Sequence, residues 1–350
     1  MPPLVSILIP AYNAEAWIAD TIKSALNQTW PRKEIIVVDD GSRDQTLRVA
    51  QQFASKNVFV VRQENQGASA ARNNAFERCQ GDYIQWLDAD DLLSAAKISR
   101  QIEVAQKEHN NRLLLSCGWA YFMYRPDRAR FTRTALWCDL TPLEWLLRKW
   151  EQNLHMQTST WLVSRELTEA AGPWDLRLLN NDDGEYFCRV LRESRAVCFV
   201  KDAKVFYRQT GSSSLSYVGR SDKKLAAHLC GMKLQIECLR SIQDSERVRR
   251  ACLNHLQLCF LYFYPERPEM VARLQEIASE LGGVLEIPRL RWKYDWIRPF
   301  FGYQTAKRAQ NLLPKIKWSL LRCWDRALFR CETSSFLSAL QRRSEIRPTS

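Results

Sequence analysis

Four short apolar runs stand out in the first ninety residues: "LVSILI" (4–9), "EIIVVD" (34–39), "VFVV" (58–61) and "YIQWLD" (83–88). Each is almost continuously hydrophobic rather than alternating, the pattern of a strand buried on both faces. Helical spacing fills the gaps between them. Ile18, Ile22, Ala25 and Leu26 share one face, with Asn13 expected as the N-cap, and Ala71, Ala75, Phe76 and Cys79 share another. Alternating strands and helices predict an α/β chain with a mostly parallel, right-handed, helix-flanked sheet. Beyond residue 110 the pattern predicts further strands at "LLLSCGWAYFMYR" and "AVCFVKDAKVFYR" and mostly helix over 141–171 and 221–282. A first domain is expected to end near 218, followed by a helical C-terminal region over 219–350 whose end, about 342–350, is frayed.

In such sheets ligands bind beyond the carboxyl ends of the strands, and these ends carry chemistry. The first run ends in Pro10-Ala11-Tyr12-Asn13, the second in Asp39-Asp40-Gly41-Ser42 and the fourth in Asp88-Ala89-Asp90-Asp91. An oxygen-only cluster on one loop suits a hard divalent cation, which Mg²⁺ completes with substrate phosphates. Solvated turn acids, with Asp91 or Ser94 capping the helix that contains Ile98, Ile102 and Ala105, are the structural alternative. At Asp39-Asp40 a carboxylate suits a nucleobase or ribose donor, while Asp44 suits a helix cap. In "ENQGASAARNNA" (64–75), Gly67 and its small neighbours open backbone N–H groups to an anion, and Arg72 is placed to reach a diphosphate; tight helix packing explains Ala70 and Ala71 equally well.

Length and composition bound the class. With 350 residues, 46% hydrophobic and 26% charged, the chain buries a full core. Eleven cysteines, scattered from Cys79 to Cys331 without a CxxC pair, read as reduced thiols of a cytoplasmic protein. "MPPLVSILIPAYN" reads as a strand rather than a signal peptide, and no run reaches the roughly 18–20 apolar residues of a membrane span.

Taken in order, Tyr12-Asn13, Asp39-Asp40-Gly41-Ser42, Gly67-x-Ser69-x-x-Arg72-Asn73 and Leu87-Asp88-Ala89-Asp90-Asp91 resemble the successive signatures of family 2 glycosyltransferases with the GT-A fold. The resemblance covers roughly the first 215 residues. It implies a metal-dependent, inverting enzyme that moves a sugar from a nucleotide-diphosphate donor, a UDP-sugar, to a glycan or lipid-linked hydroxyl in cell-envelope polysaccharide synthesis. Tyr12 would stack on the base, Asp40 would hydrogen-bond it and Asp39 would support the loop, with Pro10, Asn13, Gly67 and Arg72 also on the donor side. Asp88 and Asp90 resemble the DxD pair that meets ribose and metal-bound diphosphate. Asp90 and Asp91 would hold the cation, Mg²⁺ or Mn²⁺.

The resemblance also implies an acidic base motif. "NNDDGEYFCR" (180–189) supplies Asp182, Asp183, Glu185 and Arg189, with Asp183 the expected general base and Gly184 in place of the family's aromatic residue. Gln157, Thr158 and Ser159 would line the acceptor side with Asp182 and Glu185. "VFYRQTGSSSLS" (205–216) resembles the segment that closes over the phosphates, with Arg208 as partner. Gln209 and Thr210 stand where some relatives place a histidine ligand, and the four histidines (109, 155, 228, 255) read as structural. A non-catalytic binder on the same scaffold would have lost an acid from these motifs, and a nucleotidyltransferase would show a Gly-rich basic loop where "PAYNAEAW" stands.

Charge is concentrated at one end. From Arg289 to Ser350, fourteen Lys or Arg face four acids (Asp295, Asp325, Glu332, Glu345), so this stretch holds +10 of the formal +12. Over 305–331, Leu313, Ile316, Leu320, Trp324 and Leu328 fall on one helical face and Lys315, Arg322, Arg326 and Arg330 on another, with Pro314 expected to start the helix. Together with Trp292, Trp296, Phe300, Phe301 and Trp318, this suits contact with an anionic membrane surface; packing on the catalytic domain is the alternative. No nucleic-acid module accompanies the charge, so nucleic acid is not an expected partner.

Overall fold

The computed structural model describes residues 1–108, 111–210 and 221–345, with side chains as far as residue 332. His109, residues 211–216 of the expected phosphate-closing segment and the expected frayed end from 346 onward lie outside the described residues.

The strands are β1 (Val5–Ala11), β2 (Lys33–Asp40), β3 (Val58–Gln63), β4 (Tyr83–Trp86), β5 (Leu92–Leu93), β6 (Leu113–Phe122), β7 (Val163–Ser164) and β8 (Ala196–Arg208). Helices α1 (Ile18–Leu26), α2 (Thr46–Gln51), α3 (Ala68–Arg78) and α4 (Lys97–Glu108) connect the first of them. The main sheet has the order β3-β2-β1-β4-β7, parallel except for β7, and a smaller sheet has the order β5-β8-β6. Successive strand residues enter different cores. Val5, Ile7 and Ile9 of β1 join Ile35 and Val37 against Ile18 and Ile22 of α1 and Ile98 and Ile102 of α4. Leu8, Ile36, Val38, Ile84 and Trp86 face the other way, with Ala71 and Ala75 of α3. Each fully buried Ile or Val is worth about 1.5–3 kcal/mol of transfer free energy, so both faces resist a one-residue register slip.

The expected N-cap at Asn13 is replaced. Helix α1 starts after Trp17, while Asn13 adopts φ 48° and its side chain accepts from Arg43 N at 2.9 Å. Asn tolerates the left-handed region because its short amide bonds locally, so the residue serves the loop rather than the helix.

Helices α5 (Pro142–Glu151), α6 (Arg165–Ala171), α7 (Asp182–Glu193), α8 (Asp222–Ile242), α9 (Glu246–Phe260) and α10 (Pro268–Glu280) follow. One compact unit holds 1–120, 131–207 and the described part of 215–288, and therefore runs past the boundary expected at 218. The cause is hydrophobic: Leu225, Met232, Ile236 and Leu239 of α8 share a core with Trp174, Tyr186 and Phe187.

A second unit comprises 121–130, the described part of 208–214 and the chain from 289. It contains α11 (Trp292–Asp295) and α12 (Arg298–Glu345), the latter kinked at Gly302, where φ is 78°. Pro314 lies inside α12 instead of starting it, because the kink at Gly302 sets the start and helix-forming neighbours carry the chain past the missing donor. Within this unit Arg125 pairs with Asp325 at 2.7 Å and Arg322 donates to Thr210 O. Trp292, Phe300 and Trp324 stay 87%, 76% and 66% exposed, and Leu313, Ile316 and Leu320 are also exposed. No described helix is long and apolar enough to cross a membrane.

Candidate active site

Because β2, β1 and β4 are adjacent and parallel, the loops that follow them meet at one sheet edge. Hydrogen bonds lock these loops together. Asn13 N donates to Ser42 Oγ at 3.0 Å, Ala14 N to Thr46 Oγ1 at 2.7 Å, and Thr21 Oγ1 lies 2.9 and 3.0 Å from Ala89 O and Asp91 O. Pro10 sits in β1 opposite Val38, and Tyr12 presents an exposed ring just beyond the strand.

Asp39 and Asp40 are both buried but differ in their partners. Asp40 Oδ1 accepts from Gln63 Nε2 at 2.8 Å and Gln66 N at 2.9 Å, while Oδ2 accepts from Gly67 N at 2.8 Å and Asn65 Nδ2 at 3.2 Å. The anion held at the start of α3 is therefore Asp40 itself, and the Gly67 amide is already committed. Asp39 Oδ2 accepts from Ser42 N at 3.3 Å, whereas its buried Oδ1 has no hydrogen-bond partner. Gly41 closes this turn at φ 70°, where a Cβ would stand 2.9 Å from Asn65 N.

The acids beyond β4 are organised by Arg72. Its Nη2 donates to Asp88 Oδ1 at 2.9 Å and its Nη1 to Asp182 Oδ2 at 2.6 Å, while the guanidinium lies 4.3 Å from the centre of the Trp174 ring. Burial opposes the Arg72 charge, but Asp182 and Asp88 outweigh it and raise the pKa. Arg72 is thus paired with two acids, one from the loop beyond β4 and one at the start of α7. Burial raises the Asp88 pKa, with Arg72 opposing. Asp91 is fully buried and accepts from Gln157 Nε2, whereas Asp90 is partly exposed.

Asp182 and Asp183 open α7. Asp182 also receives Ser69 Oγ at 3.3 Å. Asp183 Oδ2 lies 3.4 Å from Thr158 Oγ1, and Oδ1 accepts from Gly184 N at 2.8 Å. Burial, followed by the charge of Asp182, raises the Asp183 pKa, while Lys149 and Arg72 pull against the rise. Glu185 is buried in a pair with Arg189 at 2.6 and 2.9 Å, and Arg189, so held, ties α7 to the preceding segment by donating to Ala171 O and to Pro173 O at 2.8 Å. At Gly184 a Cβ would run into Asn181 Oδ1 and stand 3.1 Å from Gln235 Oε1 of α8, so the position is closed to a side chain without local movement.

Arg208 belongs to the second unit, where it lies 4.5 Å from the Phe122 ring and donates to Met123 O at 3.2 Å. Sequence reasoning missed Trp174, which stacks on Tyr186 at 4.0 Å beneath Arg72. Its signal was a Pro-Trp pair shortly before the acids. Among the described histidines, burial lowers His228 to about 4 and the half-buried His255 to about 3, and His255 stacks on Trp150 at 4.6 Å, whereas His155 is exposed and meets the Trp119 ring edge-on at 5.4 Å. All eleven cysteines are free thiols.

The site offers oxygen ligands in a divalent-cation style. Among the described residues no group of three or more His, Cys, Asp or Glu side chains gathers into a metal cage. Asp90, with Asp88 two residues away, fits the alternative of one or two carboxylates completed by phosphate and water.

The glycosyl transferase family 2 profile matches residues 6–168. An uncharacterized glycosyltransferase of Haemophilus influenzae is 39% identical over 213 residues, covering 59% of this chain and 79% of that protein. Chondroitin synthase of Escherichia coli is 41% identical over 117 residues, 33% of this chain and 16% of the synthase. The chain spans 46 to 63% of the length of four further relatives from Rickettsia and Bacillus subtilis. The crystal structure of Staphylococcus aureus TarS 1–349 with UDP-GlcNAc superposes with a TM-score of 0.65 over 88% of each chain at 15% identity, a likeness of fold.

Proposed function

This chain belongs to glycosyl transferase family 2, and on that premise we propose that it is an inverting glycosyltransferase that moves a sugar from a nucleotide-diphosphate donor to a glycan or lipid-linked hydroxyl. One observation carries the proposal: Arg72 joins Asp88, on the donor side, to Asp182, which immediately precedes Asp183. In this reading a donor-side acid and the residue beside the proton acceptor share one buried cation.

The donor, a UDP-sugar in this reading, lies across the strand ends with its base against Tyr12. A carboxylate offers about four lone-pair sites, and those of Asp40 are all engaged. A base N–H is received when one side-chain amide swings aside, and Asn65 at 3.2 Å holds the longest of these bonds. Asp39 supports the turn through Ser42. Asp88 faces the ribose and diphosphate, and Asp90 with Asp88 would hold Mg²⁺ or Mn²⁺, which would supply positive charge to offset that growing on the departing diphosphate. Asp91, tied to Gln157, positions that loop.

Asp183 takes the acceptor hydroxyl proton as the oxygen attacks the anomeric carbon on the face opposite the diphosphate. The bond to the diphosphate breaks, the anomeric centre inverts and the nucleoside diphosphate leaves. A raised Asp183 pKa makes it a stronger base than an ordinary aspartate. Retention of every acid in both motifs favours catalysis over a non-catalytic scaffold.

The likeness to chondroitin synthase supports a polysaccharide-type acceptor in the cell envelope. The exposed apolar and aromatic residues of α11 and α12, within a stretch carrying +10, support peripheral binding to an anionic bilayer, where rings enter the interface and cations meet headgroups. A panel of nucleotide sugars, with Mg²⁺ or Mn²⁺, tests the activity: one UDP-sugar is expected to raise the melting temperature and release UDP. No response to any diphosphate donor overturns the reading.

A further inference from the structure

Behind the acidic edge lies a buried polar set that the transfer chemistry does not itself use. The carbonyls of Ser159, Thr160 and Trp161, at the end of the 3₁₀ turn Thr158–Thr160, are each captured by a core side chain. Ser159 O accepts from Gln85 Nε2 at 2.8 Å, Thr160 O from Gln101 Nε2 at 3.0 Å and Cys117 Sγ at 3.5 Å, and Trp161 O from Lys97 Nζ at 3.2 Å. Lys97 also donates to Gln85 Oε1, which links the set.

These groups are costly to keep. Lys97, Gln85 and Gln101 are fully buried, and burial lowers the Lys97 pKa to about 7. Gln101 leaves its Oε1 without a partner. A methionine at either helical position would fill similar space without desolvating an ammonium or an amide. What the polar groups share is the turn.

The side chains of that turn and of the residue before it reach the site's acids. Gln157 Nε2 donates to Asp91, Thr158 Oγ1 lies 3.4 Å from Asp183 Oδ2, and Asp88 N donates to Ser159 Oγ at 3.4 Å. We propose that Lys97 and Gln101 are positioning residues for transfer: by gripping the turn through its carbonyls they fix the spacing between the Asp88–Asp91 loop and Asp183. The proposal rests on the reading of Asp183 as the base. Neither residue touches substrate.

The test uses the full chain with Gln101→Met and, separately, Lys97→Met. Gln101→Met removes a single hydrogen bond and an already orphaned oxygen, a loss of about 0.5–1.5 kcal/mol, so it folds even if Lys97→Met does not. Amide exchange at 159–161, whose N–H groups bond within the turn, is expected to accelerate about fivefold or more while β1 and β2 keep their rates. Transfer kcat is expected to fall about tenfold with the donor KM within about twofold. Unchanged exchange at the turn in Gln101→Met, or exchange that rises equally in β1 and β2, overturns the proposal, as does an unchanged kcat. If the unsubstituted chain turned over no donor, the functional reading would fall, and the exchange pattern alone would still decide whether these side chains hold the turn.

Discussion

The guanidinium of Arg72 has 7% of its side chain exposed, between two carboxylates. Replacing it by methionine leaves Asp88 and Asp182 without their shared cation; breaking a buried pair in this way costs about 3–5 kcal/mol, measurable as a lowered urea midpoint at unchanged slope. The sequence singled out Arg72, but its partner Asp182 lies 110 positions away, and no local pattern announces that pairing. Asp183 makes a second, independent prediction. A base works deprotonated, so kcat falls as pH drops through its pKa, and burial with Asp182 places that limb above the ordinary aspartate range. Asp182→Asn removes a neighbouring negative charge and is expected to move the acid limb of kcat to lower pH, with Arg72, Lys149 and Gly184 N still favouring the ionised form; a limb that stays or rises contradicts the electrostatic account.

Among the elements, β1 to β4 were legible because strands buried on both faces leave continuous apolar runs, and α1 and α3 because small and branched apolar residues recur on one face. The short turn Thr158–Thr160 was legible only as polar residues near the acceptor side. Its function in the fold depends on Gln85, Lys97 and Gln101, which approach from β4 and α4 and bear no periodic relation to it. Helix α7 shows the same limit. Gly184 read as a departure from the family pattern, yet the Asn181 side chain occupies the space a Cβ would need, with Gln235 of α8 close behind it. Gly184→Ala is therefore expected to destabilise the chain by about 1–3 kcal/mol, with Asp183 displaced and kcat reduced. A melting temperature equal to the parent's would contradict the close packing around Gly184.

At the scale of the molecule, the helices over 222–280 belong to the catalytic unit, a placement the sequence missed because their apolar residues fit either a separate bundle or an extension of the first core. The second unit leaves Leu320, Trp324, Trp292 and Phe300 exposed. Vesicles containing phosphatidylglycerol are expected to sediment the protein, phosphatidylcholine vesicles to leave it in solution, and high salt to release it, since each basic residue near the surface contributes about 1 kcal/mol. Equal binding to both lipids would argue against an anionic surface as partner. The central claim, that the acids at the sheet edge perform glycosyl transfer with Asp183 as base, is tested most directly by Asp183→Asn, assayed for sugar transfer and for UDP affinity on the same preparation. The account predicts a loss of about 10²–10⁴ in kcat with UDP affinity unchanged within about twofold; turnover close to that of the parent chain would contradict it.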